Sequence, residues 1–127
     1  MTMKARVLND SKGNINIHLE GGMDYDNIIP LREELRRLAS SYPTALINLD
    51  FTALDFVGTS GIGVLVETIR SMNNRNDQIR ISNVGPEFLK VFKLYNFEAL
   101  ELLMDTFDSE ETELDLFYGQ KRRTFQN

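Results

Sequence analysis

Hydrophobic and polar positions alternate most clearly near the start of the chain. Ile15, Ile17 and Leu19 are interleaved with Asn16, His18 and Glu20, the period of a strand with one buried face. Residues 5–8 form a second short run, and Asn9-Asp10-Ser11-Lys12-Gly13 between them is turn chemistry, so the pattern predicts a hairpin of 5–8 with 14–20. His18 falls on the polar side and is expected as a solvated strand histidine. Gly21-Gly22-Met23-Asp24 is expected to break the strand. Leu31, Leu35, Leu38 and Tyr42 then repeat at helical spacing, with Glu33, Glu34, Arg36 and Arg37 on the other face, which predicts a helix over about 26–41. Pro30 fits only a first turn, so the regular helix is expected to begin close to it, and Pro43 ends it.

Residues 45–49, Ala-Leu-Ile-Asn-Leu, are too apolar for a half-exposed strand and predict a central strand covered on both faces in a sheet with parallel pairs. A glycine-rich turn follows. Ile62, Leu65, Val66, Ile69 and Met72 then mark the buried stripe of a helix over about 59–73. Residues 78–83 read as a short strand, and Pro86 opens a helix carrying Phe88, Leu89, Val91, Phe92 and Leu94. Residues 100–104 predict an edge strand. Asp108, with Glu111 three residues on, predicts a capped helix packed by Leu114, Phe117 and Tyr118. Residues 121–127 are expected as a loose tail. Strands alternating with helices argue for an α/β fold, a mixed sheet of four to five strands with about four helices largely on one face. One domain over 1–118 and a flexible C-terminal tail over 119–127 are expected.

Composition narrows the function. With 127 residues, 42% of them hydrophobic and 26% charged, the chain suits one soluble globular domain. No apolar run approaches a membrane span and the start lacks a signal peptide's core, so no membrane insertion and a cytoplasmic location are expected. The absence of cysteine excludes disulfides, thiolate chemistry and Cys-ligated zinc, and a single histidine excludes a two-His metal site within the chain. A net charge of −5 makes a poor binder of nucleic acid or anionic membrane and favours a basic protein partner.

The chemistry concentrates at Asp55-Phe56-Val57-Gly58-Thr59-Ser60-Gly61-Ile62-Gly63-Val64, where a strand turns into a helix. Gly58, Gly61 and Gly63 have the spacing G-x-x-G-x-G, not that of a dinucleotide loop, and no lysine followed by a hydroxyl residue supports a triphosphate loop. Gly58-Thr59-Ser60-Gly61 lacks nucleophile-elbow spacing, and His18 is the sole available base, which argues against a hydrolase. Asp24, Asp26, Asp50 and Asp55 could border one sheet end and hold a hard cation. They read better separately: Asp24 and Asp26 as turn and N-cap residues, Asp50 as a strand end, Asp55 as a solvated side chain. Glu110, Glu111, Glu113 and Asp115 read as the wet face of the last helix. No cofactor or metal is expected. Ser60 has two readings. It can be a helix-capping hydroxyl worth about 1 kcal/mol, a role for which Thr59 competes. Or it can carry a phosphate, since amides at a helix N-terminus favour negative charge.

Residues 46–65, Leu-Ile-Asn-Leu-Asp-Phe-Thr-Ala-Leu-Asp-Phe-Val-Gly-Thr-Ser-Gly-Ile-Gly-Val-Leu, resemble the signature of the STAS domain, the family of bacterial anti-sigma factor antagonists. There an apolar strand and an aromatic residue precede Asp-Ser-Ser-Gly-Leu-Gly-Val. Gly22-Met23-Asp24 resembles an earlier Gly-x-x-Asp element, and Ser82-Asn83-Val84-Gly85-Pro86 with Val91-Phe92 a later strand, turn and helix. Residues 97–103 are similar to a closing segment, with Asn96-Phe97 in place of Gly-Leu, and the likeness runs over about 5–118. It implies a STAS-type fold and a regulator, not an enzyme. It also implies that Ser60, or less favourably Thr59, is phosphorylated by a partner serine kinase that is also the anti-sigma factor. Asp24, Asp55, Gly58, Thr59, Ser60 and Gly61 would form the partner-binding surface, and a PP2C-type phosphatase would reverse the switch. Gly58 stands where the family carries an aspartate, which favours an alternative: a phosphorylation-independent adaptor in a signalling or membrane-transport complex.

Overall fold

The computed structural model describes residues 2–95 together with the backbone of 112–113 and 122–126. The element order is β1 (Thr2–Asn9), β2 (Ile15–Met23), α1 (Tyr25–Ser41), β3 (Ile47–Val57), α2 (Thr59–Arg75), β4 (Ile79–Ser82), α3 (Pro86–Leu94), β5 (Thr112–Glu113) and β6 (Arg122–Gln126).

The sheet runs β4-β3-β2-β1, with β1 and β2 antiparallel and the β2–β3 and β3–β4 pairs parallel. The hairpin turn is tied by Asp10, whose Oδ1 accepts from the N–H groups of Lys12 and Asn14. Both helical crossovers step in the same direction across the sheet. Right-handed connections then put α1 and α2 on the same face, where they pack together. Phe51 of β3 meets Phe88 and Phe92 of α3 with ring centroids 6.0 and 6.1 Å apart, so α3 lies on that face too. The expected mixed sheet with helices on one face is therefore present. Its core is one cluster: Met3, Ala5 and Val7 from β1; Ile15, Ile17 and Leu19 from β2; Ile47, Leu49 and Phe51 from β3; Ile79 and Ile81 from β4; and the apolar stripes of the helices.

Several expectations are corrected. The strand does not break at Gly21-Gly22 but continues to Met23. Gly21 has φ 96°, and a Cβ there would lie 2.5 Å from Thr2 O, so glycine is what allows the strand to bend and continue. Helix α1 begins at Tyr25, five residues before Pro30. A capping box sets this start: Asn27 N–H donates to Asp24 Oδ1 at 2.9 Å, and Asp24 N–H donates to Asn27 Oδ1 at 2.8 Å. Pro30 is the sixth helical residue, past the amides that lack an intrahelical acceptor, and its missing N–H costs the helix the one bond it would have made to Asp26 O. Strand β3 does not end at Asp50 but runs to Val57, with register shifts against β2 between His18 and Glu20 and between Gly21 and Gly22.

At the C-terminus, Thr112–Glu113, expected within a last helix, form strand β5 against Leu8 and Asn9. Arg122–Gln126, expected in a loose tail, form strand β6 against Thr2–Arg6 of the same β1 edge. The expected strand over 100–104 lies outside the described residues, as do Asp108, Leu114, Phe117 and Tyr118 of the expected last helix. Among the described residues no helix is long and apolar enough to cross a membrane.

Candidate functional site

Helix α2 starts where β3 ends, beside the start of α1. Gly58 is its N-cap, in extended conformation (φ −70°, ψ 146°) and with no side-chain capping bond. The Gly58 N–H donates to Met23 O at 2.8 Å, and the first intrahelical bond runs from Ile62 N–H to Gly58 O at 3.0 Å. That leaves the amides of Thr59, Ser60 and Gly61 without an intrahelical acceptor, the partial positive end of the helix. Thr59 and Ser60 are both exposed, at the first and second helical positions. The capping reading of these hydroxyls is thus not met.

The structure brings Asp24 to this end. A Cβ on Gly61 would lie 3.0–3.1 Å from the Asp24 backbone, so a side chain there would push the two helix starts apart by a few tenths of an ångström. Gly58 sits against Asp24 and the ring of Phe56 at ordinary contact distance. Asp55 is exposed on β3, at the second register shift and three residues before the cap. Asp50 stands apart from this group, farther back along β3.

Three rings lie near this helix start, and the sequence reading missed Tyr25 and Tyr95 among them. Tyr25 follows Asp24 and is 55% exposed, and Phe56 is 48% exposed, both unusual for large rings. Tyr95, at the exit of α3, donates its hydroxyl to Thr59 O at 2.8 Å, while Arg70 Nη2 donates to Tyr95 O at 2.7 Å. The ring therefore braces the first turn of α2. Ser60 shares a shallow groove between α1 and α2 with Tyr25, Arg32, Gly63, Glu67 and Tyr95. The available signal was periodicity. Tyr25 and Arg32 are seven apart on one helix, as are Ser60 and Glu67 on the next, and such residues share a face.

A second polar constellation lies on the sheet face away from the three helices. His18 is not merely solvated: its Nδ1 is 2.7 Å from Asp50 Oδ2, and its Nε2 is 3.2 Å from Asn16 Nδ2. With the carboxylate ionised, Nδ1 carries the proton and donates, which leaves Nε2 to accept from Asn16. Asn48 Nδ2 donates to Asn16 Oδ1 and to Ser82 Oγ, at 3.0 and 2.8 Å. Asp50 Oδ1 accepts from Thr52 N–H, Thr52 Oγ1 and Asn83 Nδ2. Asn83 reaches it from a left-handed backbone (φ 55°), which asparagine tolerates. Burial alone would raise the Asp50 pKa. The bonds from His18, Thr52 and Asn83 outweigh it and hold the carboxyl well below the usual range. The signal was the in-register parallel pairing of Asn16 with Asn48 and His18 with Asp50. A Lys4, Arg6, His18, Glu20 and Thr52 cleft opens over this pair, but both histidine nitrogens are already engaged. Among the described residues no three His, Asp or Glu side chains converge as a metal site.

The model of the family described as STAS domain matches residues 6–113. Two solved structures share the fold at 19% identity. One, titled as the anti-sigma factor antagonist SpoIIAA in its unphosphorylated form, has a TM-score of 0.63, with 81% of this chain and 88% of that chain covered. The other, titled as the Bacillus cell fate determinant SpoIIAA in the phosphorylated form, has a TM-score of 0.62, with 81% and 91% covered. With the family match running over most of its length, from β1 to β5, the chain belongs to the STAS domain family.

Proposed function

We propose that this protein is an anti-sigma factor antagonist that works by partner switching, with Ser60 as phosphoacceptor and a serine-kinase-type anti-sigma factor as partner. The observation that carries the reading is the state of Ser60: an exposed hydroxyl at the second position of α2, with no capping duty, in a groove it shares with the exposed ring of Tyr25. Family membership supports it, as does a structure of the same fold in both an unphosphorylated and a phosphorylated form. Asp24, Asp55, Gly58, Thr59 and Gly61 are the proposed contact surface, with Tyr25 and Phe56 as its apolar anchors.

Unmodified protein docks this end on the kinase and so frees the sigma factor. The kinase transfers the γ-phosphoryl group of ATP to Ser60 Oγ; ADP and the hydroxyl proton leave. The product carries about −1.5 to −2 charges at pH 7. The amides of the first turn favour that charge, so the fold persists. At the interface the same charge is desolvated and blocks docking. A PP2C-type phosphatase restores the active form. The protein itself performs no catalysis, and its action on transcription needs no contact with nucleic acid.

The test incubates the protein with candidate serine kinases and ATP and locates the modification by mass spectrometry. Phosphate on Ser60, or in its absence on Thr59, is the expected result. No phosphate on either residue with the physiologically paired kinase turns the reading to a phosphorylation-independent adaptor in a signalling or membrane-transport complex. One observation favours that second reading: Gly58 places no carboxylate beside the acceptor where the family has an aspartate.

A further inference from the structure

The groove beside Ser60 is lined by a cation. Arg32 lines it from α1, and Ser60 and Glu67 line it from α2. The Nε of Arg32 is buried with no hydrogen-bond partner. Among the described residues no ion pair joins Arg32 to Glu67 or to any other carboxylate. A buried guanidinium N–H without an acceptor is unfavourable and normally finds one. Side chains on a helix lean toward its N-terminus. From two turns along α1, Arg32 therefore leans toward the end of the groove that Ser60 occupies. Gly63 also lines the groove, and the Tyr95 ring packs over it.

We propose that Arg32 is the receptor for the phosphoryl group of phosphorylated Ser60. The guanidinium turns out of its buried position into the groove, so that its Nε–H and a terminal N–H donate to two phosphoryl oxygens, the forked geometry that guanidinium offers a phosphate. The modified side chain then folds into the groove and covers the exposed ring of Tyr25. Phosphorylation would so act twice, adding charge to the docking end and hiding one of its apolar anchors. The inference rests on Ser60 being the phosphoacceptor. The groups facing the phosphoryl are Arg32 and Tyr25 from α1, Glu67 and the first-turn amides from α2, and the hydroxyl of Tyr95. Glu67 opposes the effect and Arg32 is the cation that favours it.

The experiment installs phosphoserine at position 60 during synthesis, which bypasses any kinase, in the wild type and in R32Q and R32K. Phosphorus NMR then follows the second ionisation of the phosphate, near pH 6 when unperturbed. Removing a neighbouring cation should raise its midpoint by about half a unit to one unit in R32Q, with R32K between the two. The helix amides are common to all three proteins, so the difference isolates the guanidinium. In the wild type, the Arg32 Hε resonance should move downfield on phosphorylation as Nε–H gains an acceptor. A midpoint that is the same in wild type and R32Q overturns the proposal, and so does an Hε resonance that stays put. The Hε measurement needs no variant, so a folding defect in R32Q leaves the test intact. Because the phosphate is placed synthetically, failure here removes the receptor alone. Failure of the kinase reaction would remove the switch while this titration still reported on the groove.

Discussion

The sheet face bearing His18 and Asp50 and the end bearing Ser60 are both rich in polar groups, and they treat them oppositely. On the sheet face hydrogen bonds chain across three strands, from Ser82 through Asn48, Asn16 and His18 to Asp50, which accepts three further bonds on its other oxygen. At the α2 end the hydroxyl of Ser60 has no capping role, the first-turn amides have no intrahelical acceptor, and two rings stand exposed. Polar groups satisfied by one another hold strands in register; polar groups left to solvent are available to a partner. On this ground the His–Asp pair in a cleft reads as structural, while a serine without an adjacent base is the residue we propose as functional.

The largest expected effect falls on the cross-strand network. Asp50→Ala strips His18, Thr52 and Asn83 of their common acceptor and should lower stability by about 2–4 kcal/mol, read from urea unfolding midpoints. If the two regions are as separate as the comparison holds, the amide resonances of 58–61 should stay in place; their displacement would break it. Next is Gly61→Ala. Its methyl would press on the Asp24 backbone, which cannot yield as a side-chain tip could, so about 1–3 kcal/mol should be lost. Here the helix starts should move apart and partner binding should weaken, the reverse of Asp50→Ala.

Acid sharpens the contrast. The folded-state pKa of Asp50 is depressed, so its contribution is fully present above the unfolded value of about 3.9 and is lost as pH falls from there toward the folded value. Wild-type stability should therefore decline more steeply below about pH 4 than that of Asp50→Asn, measured by urea unfolding at a series of pH values. Equal slopes would mean that the carboxylate is not held as described. The smallest stability effects belong to Ser60. Ser60→Ala should stay within about 0.5 kcal/mol of wild type, and Ser60→Asp should gain about 0.3–1 kcal/mol at low salt from the helix N-terminus. Against this, Ser60→Asp should abolish binding to the kinase partner, read by calorimetry. A stable Ser60→Asp protein that still binds would contradict the switch.

Periodicity made most of the fold legible. Ile15, Ile17 and Leu19, the run 45–49, and the stripe Ile62, Leu65, Val66 and Ile69 each reported a burial pattern that the structure reproduces. Boundaries were less legible, because they turn on single contacts. Gly21 looks like a breaker until Thr2 O is seen to lie where a side chain would be, and Pro30 looks like a start until Asp24 and Asn27 are seen to cap each other. The site was legible at Ser60 through its strand-to-helix setting and family signature. Tyr25, Arg32 and Tyr95 were not, since each lies in another element and meets Ser60 only across helix–helix packing.

The sequence by itself determined the element types as far as α3, the face each buries, a mixed sheet with parallel pairs and the placing of two hydroxyls at a helix start, because these follow from local periodicity and backbone chemistry. Only the tertiary structure decided that His18 is a partner of Asp50, that Gly61 lets two helix starts meet, and that Arg32 shares a groove with Ser60. Each depends on register or packing between segments 32 or more residues apart, such as His18 and Asp50, or on two neighbouring helices. Hydrophobic pattern names the face a residue occupies, not the neighbour it will find there.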